Sequence, residues 1–330
     1  VLFQDLNKIN SMKFIQQAYK GINEWWAYLT TLIFLFIGWQ FVGVLPLVGT
    51  AYLYSNSLND FFSAAQSNFA ALEMNSNLYL VLIIITFLFG LLSLFAGIKF
   101  IHKRKITSLI TSREHIDWSR VFYAFKVWGS IGVLMLVISY AISPDDFVWN
   151  FKPLSFVVLV LVSFFLLPIQ TSMEELLFRG YLMQGFGTWF KKSAVALILT
   201  SVIFGLLHGL NPEVEKLGYI SMVYYIGTGL VLGIFTLMDE GTELALGFHA
   251  ANNITAAVLV TANWTVFQTD ALFIDKSEPS VGWEMFVPVL VLYPLILYIF
   301  SKKYNWTNWQ EKLMGTVRKP IVLNEDEFIA

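Results

Sequence analysis

"PLSFVVLVLVSFFLLPIQTSMEELLFRGYL", residues 153–182, runs through Ser172 without a charge and then places two carboxylates and an arginine between positions 174 and 179. An uncharged run of about 20 residues is what a helix needs to cross the hydrocarbon of a bilayer. The stretch therefore reads as a spanning helix whose final turns carry charge.

The rest of the chain repeats the apolar half of that pattern. Of the 330 residues 57% are hydrophobic and only 13% charged, with mean hydropathy +0.64, whereas a soluble domain is about 25% charged. Apolar runs fall near 27–53, 78–101, 121–142, 153–172, 193–208, 218–238, 244–263 and 283–301. The expected fold is all-α, a polytopic membrane protein of about eight transmembrane helices. The runs are long and continuous, without the alternating segments of about 10 residues that an outer-membrane barrel would show. No internal repeat is visible, which removes the usual sequence support for a transporter built from duplicated halves.

Lysine and arginine concentrate before residue 21, in 99–120, at Lys191 and Lys192, and in 302–319, while 54–77 has none. The positive-inside rule then puts both termini in the cytoplasm, as an even number of crossings requires. The setting implied is an integral protein of a bacterial inner (plasma) membrane. Tryptophans near span ends (Trp25, Trp26, Trp118, Trp149, Trp264, Trp283, Trp306) read as interfacial anchors. The organisation expected is an N-terminal cytoplasmic segment 1–26, N-terminal spans 27–142, a core 150–265, a last span 283–301 and a cytoplasmic tail 302–330 that ends in "NEDEFIA". "VLFQ" at the start resembles a tag-removal protease site, so 1–11 reads as a remnant with Met12 as the natural start. No cleavable signal peptide is visible.

The chain has no cysteine, which excludes disulfides, thiolate ligands and a cysteine nucleophile. The net charge of −2 and the lack of a basic stripe with interleaved aromatics give no support for nucleic acid as a partner.

Charge inside a span needs a reason, because each Glu or Arg at a helix centre costs about 2.5–3.5 kcal/mol on insertion scales. Residues four apart share a helical face, so Glu175 and Arg179 can pair. Glu174, rotated by about 100°, points elsewhere and is left free for general-base chemistry. His102 and His115 bracket "HKRKITSLITSREH", where a solvated surface role is expected. His208 and His249 sit at apolar spans, and Asn253 lies one turn beyond His249, placed to orient that ring or to offer an amide to an oxyanion.

Three motifs now stand in order: EExxxR at Glu174–Arg179, FxxxH at Phe204–His208 and HxxxN at His249–Asn253. Together they make the chain resemble the CPBP family of CAAX proteases and bacteriocin-processing enzymes, over roughly 150–265. The resemblance implies an intramembrane endopeptidase, recessed from the cytoplasmic face, acting on a membrane-associated peptide or protein. It implies that Glu174 polarises the hydrolytic water, that His208 holds it, and that His249 and Asn253 steady the oxyanion or complete a ligand set, with Glu175 and Arg179 in support. A divalent metal such as zinc is a candidate cofactor on Glu174, His208 and His249, since two His and a Glu are a normal catalytic zinc set. There is no HExxH, and relatives have been argued to work as metal-free glutamate peptidases, so both types stay open. The prenyl specificity of eukaryotic relatives is not transferred.

The alternative function is a non-catalytic membrane scaffold, immunity factor or complex subunit with membrane-complex partners; a proton-coupled transporter is third. One geometric tension accompanies the enzyme reading. With simple spans His208 lies about 22 Å up its helix from the cytoplasmic end and His249 only about 8 Å.

Overall fold

Backbone polar groups inside a bilayer have no partner but one another, so the long apolar runs become helices, and polar residues decide where each one stops. The structure, a computed structural model, describes residues 12–320. The remnant reading of 1–11 and the acidic "NEDEFIA" end lie outside them. In chain order the longer helices are α1 (Trp25–Ile37), α2 (Leu45–Tyr54), α3 (Leu58–Ala65), α4 (Ser76–Ala96), α5 (Trp118–Ile142), α6 (Pro153–Glu175), α7 (Met183–Phe190), α8 (Ser193–Leu207), α9 (Met222–Asp239), α10 (Glu243–Leu259) and α11 (Tyr293–Lys303). Three short strands, β1 (Phe147–Trp149), β2 (Val260–Thr261) and β3 (Phe273–Asp275), pair in the order β1-β3-β2.

Six helical stretches among the described residues are long and apolar enough to cross a bilayer: 25–54, 76–101, 118–142, 153–190, 193–210 and 219–239. The expected count of eight is not reached on this measure. The run at 244–263 becomes the 17-residue α10, ended where the chain turns extended to pair β2 with β3. The run at 283–301 opens with a 3-10 turn and a π turn at Pro288–Leu292, which leaves 11 residues for α11. The fold is membrane-helical as expected, with fewer full-length crossings.

The run expected to end at 172 continues to Phe190 as one stretch of 38 residues. Pro153 starts α6 at a position where its missing N–H costs nothing. A π turn at Leu176–Leu182 links it to α7, and Lys191, at φ +56°, stops it. The antiparallel pair α8 and α9 is set by small residues four apart. A Cβ on Gly205 would meet Ile226 at 2.4 Å, one on Gly229 would meet the Ser201 carbonyl at 2.7 Å, and one on Gly233 would meet Leu197 at 2.4 Å.

The largest departure from expectation is the basic stretch 102–115. It was expected at the solvated surface, yet His102, Arg104, Ser108, Leu109, Ile110 and Thr111 are all buried. Irregular backbone is tolerated in such a place only when its polar groups are paired. Here His102 Nδ1 donates to the Ile22 carbonyl (2.7 Å) and its Nε2 pairs with the Tyr181 hydroxyl (2.8 Å). Arg104 donates to Gln184 Oε1 (2.6 Å), and Gln184 Nε2 donates to the Ser108 carbonyl (2.8 Å). His115 is exposed, as expected. Among the tryptophans Trp25, Trp26, Trp118, Trp149 and Trp283 are exposed, but Trp306 is buried and donates to Asp239 Oδ1 (3.2 Å).

This loop carries the start of α10. The Thr242 N–H donates to the Ile110 carbonyl (2.8 Å) and the Ser112 N–H to the Glu240 carbonyl (3.0 Å). Arg113 bridges Asp239 (3.1 Å) and Glu243 (3.2 Å). Gly180 packs on the same loop, since a Cβ there would lie 2.7 Å from the Leu109 carbonyl oxygen. The first turn of α10 is thus level with Gly180, about 15 Å inward from Phe190 at 1.5 Å per residue.

Candidate active site

That inward start resolves the tension between the two histidines. Counting six residues along α10, His249 lies about 9 Å beyond Glu243, which brings it level with Glu174 on α6. On the other side α8 runs antiparallel to the 153–190 stretch. Phe204 meets Phe178 (ring centroids 5.4 Å) and lies under the Arg179 guanidinium (4.2 Å), so His208, one turn further, also arrives at the level of Glu174 and Glu175.

Glu175 and Arg179 pair as their spacing requires, Nη1 to Oε1 at 2.8 Å with neither side chain exposed. Arg179 also donates to the Gly229 carbonyl (3.2 Å), a contact that the close packing of Gly229 on Ser201 permits. The same Glu175 oxygen accepts from His249 Nδ1 at 2.7 Å. Glu175 therefore fixes which imidazole nitrogen carries hydrogen, and Nε2 is turned toward Glu174, 3.5 Å from its Oε2. Glu174 Oε2 is buried without a hydrogen-bond partner. Two acceptors facing one another at that distance call for a shared proton or a donating water. His208 has the same tautomer by a different route, because Nδ1 donates to its own Phe204 carbonyl (2.7 Å) and leaves Nε2 as an acceptor.

Glu174, His208, His249 and Asn253 all line one cavity of about 350 Å³. Its walls come from α4 (Leu80, Ile83, Ile84, Phe87), α6 (Leu167, Gln170), α9 (Tyr224, Tyr225, Thr228) and α10 (Phe248, Asn252), and its rim from Asn211, Glu213, Val266 and Phe267. The rim residues belong to connections at the end of the bundle opposite the basic stretch 102–120 and Lys191–Lys192. Toward the basic end the buried Glu175–Arg179 pair and the buried loop around Leu109 and Ile110 close the site. The recess expected from the basic face thus gives way to a cavity rimmed by the opposite loops, because part of the stretch expected in solvent, His102, Arg104 and 108–111, is buried.

Asn253 differs from expectation in what it touches. Its Nδ2 donates to Gln170 Oε1 (2.9 Å), and Gln170 Nε2 donates to Glu174 Oε1 (2.8 Å). Behind it Asn252 donates to Asn253 Oδ1 (3.2 Å), while Trp128 Nε1 donates to Asn252 Oδ1 (3.2 Å). A chain of side-chain amides thus orients one oxygen of Glu174 and leaves the other bare. Sequence reading missed Gln170, although it stands one turn before Glu174 on the same face. It also missed Asn252, Tyr225, which stacks on His208 (4.8 Å), and Glu213; a loop glutamate carries no spacing signal.

Among the described residues no three His, Asp or Glu side chains form a group that could hold a metal ion. The candidate ligand set Glu174, His208 and His249 shares the cavity without closing on one point, although both Nε2 atoms and Glu174 Oε2 are of the right chemical type.

Comparison with known proteins agrees with the motif reading. Residues 153–255 match the family model described as Type II CAAX prenyl endopeptidase Rce1-like, and the match contains all three motifs. The chain is 28% identical over 282 residues to "Uncharacterized protein YyaK" of Bacillus subtilis (strain 168), covering 82% of this chain and 90% of that protein. No solved structure matches. The matched region contains the cavity residues Glu174, His208, His249 and Asn253.

Proposed function

We propose that this integral membrane protein is an endopeptidase that hydrolyses a peptide bond of a membrane-associated peptide or protein inside the α6–α8–α10 cavity. One observation carries the reading: Glu174 presents a bare, buried carboxylate oxygen beside an imidazole nitrogen whose partner nitrogen is already committed.

In this mechanism a water in the cavity sits against Glu174 Oε2, with both imidazoles lining the same cavity. Glu174 takes its proton as the oxygen attacks the carbonyl carbon, and the same proton passes to the leaving amine nitrogen as the C–N bond breaks. His208 Nε2 accepts the second water hydrogen and aims the lone pair. His249 acts as an imidazolium that keeps its Nε2 proton through the cycle: backed by Glu175 through Nδ1, that proton meets the developing oxyanion as in a His–acid pair. Gln170, held in turn by Asn253, fixes Glu174 in one rotamer and so acts by position rather than by contact with the reacting atoms. Asn253 retains a second amide hydrogen for the oxyanion.

The orientation belongs to the same proposal. With lysine and arginine on the cytoplasmic side of a bacterial plasma membrane, the loop-rimmed mouth faces outward, and substrates enter from there or from the outer leaflet.

The test uses purified full-length protein in nanodiscs with a library of membrane-anchored fluorogenic peptides. Wild type should cleave, while Glu174→Gln and His208→Ala should lose turnover and keep wild-type melting. Equal turnover in all three sinks the reading and leaves a scaffold or partner role for the same fold. Chelation separates the two chemical types. Turnover that survives a chelator supports the glutamate type; turnover lost and restored by zinc assigns a ligand role to Glu174, His208 and His249.

A further inference from the structure

The rim of the cavity holds a second carboxylate that the proposed hydrolysis does not use. Glu213 stands in the short turn of helix Pro212–Leu217. Its Oε1 accepts the Val266 N–H at 2.8 Å, which ties it to the opposite connection and fixes its direction. Its Oε2 is buried and makes no hydrogen bond within 3.5 Å, with the Tyr225 hydroxyl nearby. A carboxylate oxygen withdrawn from water and left unpaired is costly, and a ligand that donates to it recovers that cost.

The surroundings say which ligand. No lysine or arginine lines the cavity, and among the described residues Glu213 makes no ion pair. The nearby walls are aromatic, with Tyr224, Tyr225 and Phe267, and Asn211 donates to the Tyr225 hydroxyl at 3.3 Å. A carboxylate beside aromatic faces is a cation receptor, because the ring quadrupole and the anion attract the same group. Tyr225 stacks on His208, so the subsite adjoins the proposed catalytic water.

We propose that Glu213 binds an ammonium or guanidinium group of the substrate close to the cleaved bond and so selects peptides with Lys or Arg there. The inference rests on the endopeptidase reading for its consequence in catalysis, and on the geometry alone for binding. A charge-assisted hydrogen bond to a buried carboxylate oxygen gives roughly a tenfold or greater preference over a neutral isostere.

Binding is measured first, on Glu174→Gln protein in nanodiscs, by fluorescence anisotropy of an N-acetylated apolar peptide with a single lysine and of its norleucine twin. The lysine peptide should bind at least about tenfold more tightly, and adding Glu213→Gln should bring the two within about twofold. A free-amine norleucine peptide that matches the lysine peptide would assign the subsite to a substrate amino terminus, supporting the same cation chemistry. Equal affinity for lysine and norleucine with Glu213 intact overturns the proposal, as does a Glu213→Gln protein that loses both peptides in parallel. Turnover follows in the Glu174 background: Glu213→Lys should favour a glutamate-bearing peptide over the lysine one. Loss of all turnover in wild type with the lysine preference in binding intact would refute the hydrolase reading and leave this one standing.

Discussion

Replacing Arg179 by methionine tests the polar layer beneath the cavity with a side chain that still fills the volume. Glu175 and Arg179 are both wholly buried, and Glu175 Oε2 already lacks a partner. Removing the guanidinium leaves the carboxylate with only His249 Nδ1 at 2.7 Å. Breaking a buried pair from one side costs about 3–5 kcal/mol. The lost stacking of Arg179 over Phe204 at 4.2 Å lies within that figure. With about 2.1 cal/mol/K of unfolding entropy per residue, a chain of this length has about 0.7 kcal/mol/K, so the melting temperature should fall by roughly 4–7 °C. The assay is tryptophan fluorescence melting of detergent-solubilised protein. The double variant Glu175→Leu/Arg179→Met removes the stranded charge as well and should recover most of the loss, since apolar replacement of a buried pair is often neutral. It should not recover turnover, because His249 then has no acceptor for Nδ1. An Arg179→Met protein that melts within about 1 °C of wild type, or a double variant no better than the single, refutes the reasoning.

Gln170→Met should lower kcat by roughly 10–100-fold with melting and peptide affinity unchanged, the size expected when a catalytic group is misplaced by about 1 Å; unaltered kcat would remove Gln170 from the positioning chain. Burial, with Arg104 nearby, holds His102 down at about 4 from its usual value of about 6.5, against the raising effect of its bond to Ile22. The unfolded chain therefore takes up a proton that the folded one refuses, so stability is full above about pH 6.5, declines toward about pH 4 and is level below. Melting curves across that range should show the decline in wild type and a weaker one in His102→Gln, and parallel curves would contradict it. Because the chain has no cysteine, single cysteines report on sidedness. Val266→Cys should react with an impermeant maleimide in intact cells and Lys105→Cys only after permeabilisation, and the reverse pattern would overturn the outward mouth.

Composition and apolar run length were enough to read a helical membrane protein, because a bilayer admits so few backbone solutions. The pairing of Glu175 with Arg179 and the separate direction of Glu174 followed from helical spacing alone, since both are contacts within one turn. The three motifs were legible as a set, and the matched family region contains them. What spacing could not give was depth. The loop 102–117 is basic enough to look solvated, yet His102 and Arg104 find partners inside, at Ile22, Tyr181 and Gln184, while Lys103, Lys105 and Glu114 stay exposed. By lifting the start of α10 to the level of Gly180 it brings His249 to Glu174, and by plugging the basic end it turns the cavity mouth to the opposite loops. Neither Gln170's place between Asn253 and Glu174 nor Glu213's at the rim could be read from sequence distance. Contacts within a helix are fixed by local periodicity, whereas the meeting of groups from separate helices depends on where each helix begins, and only the packed chain decides that.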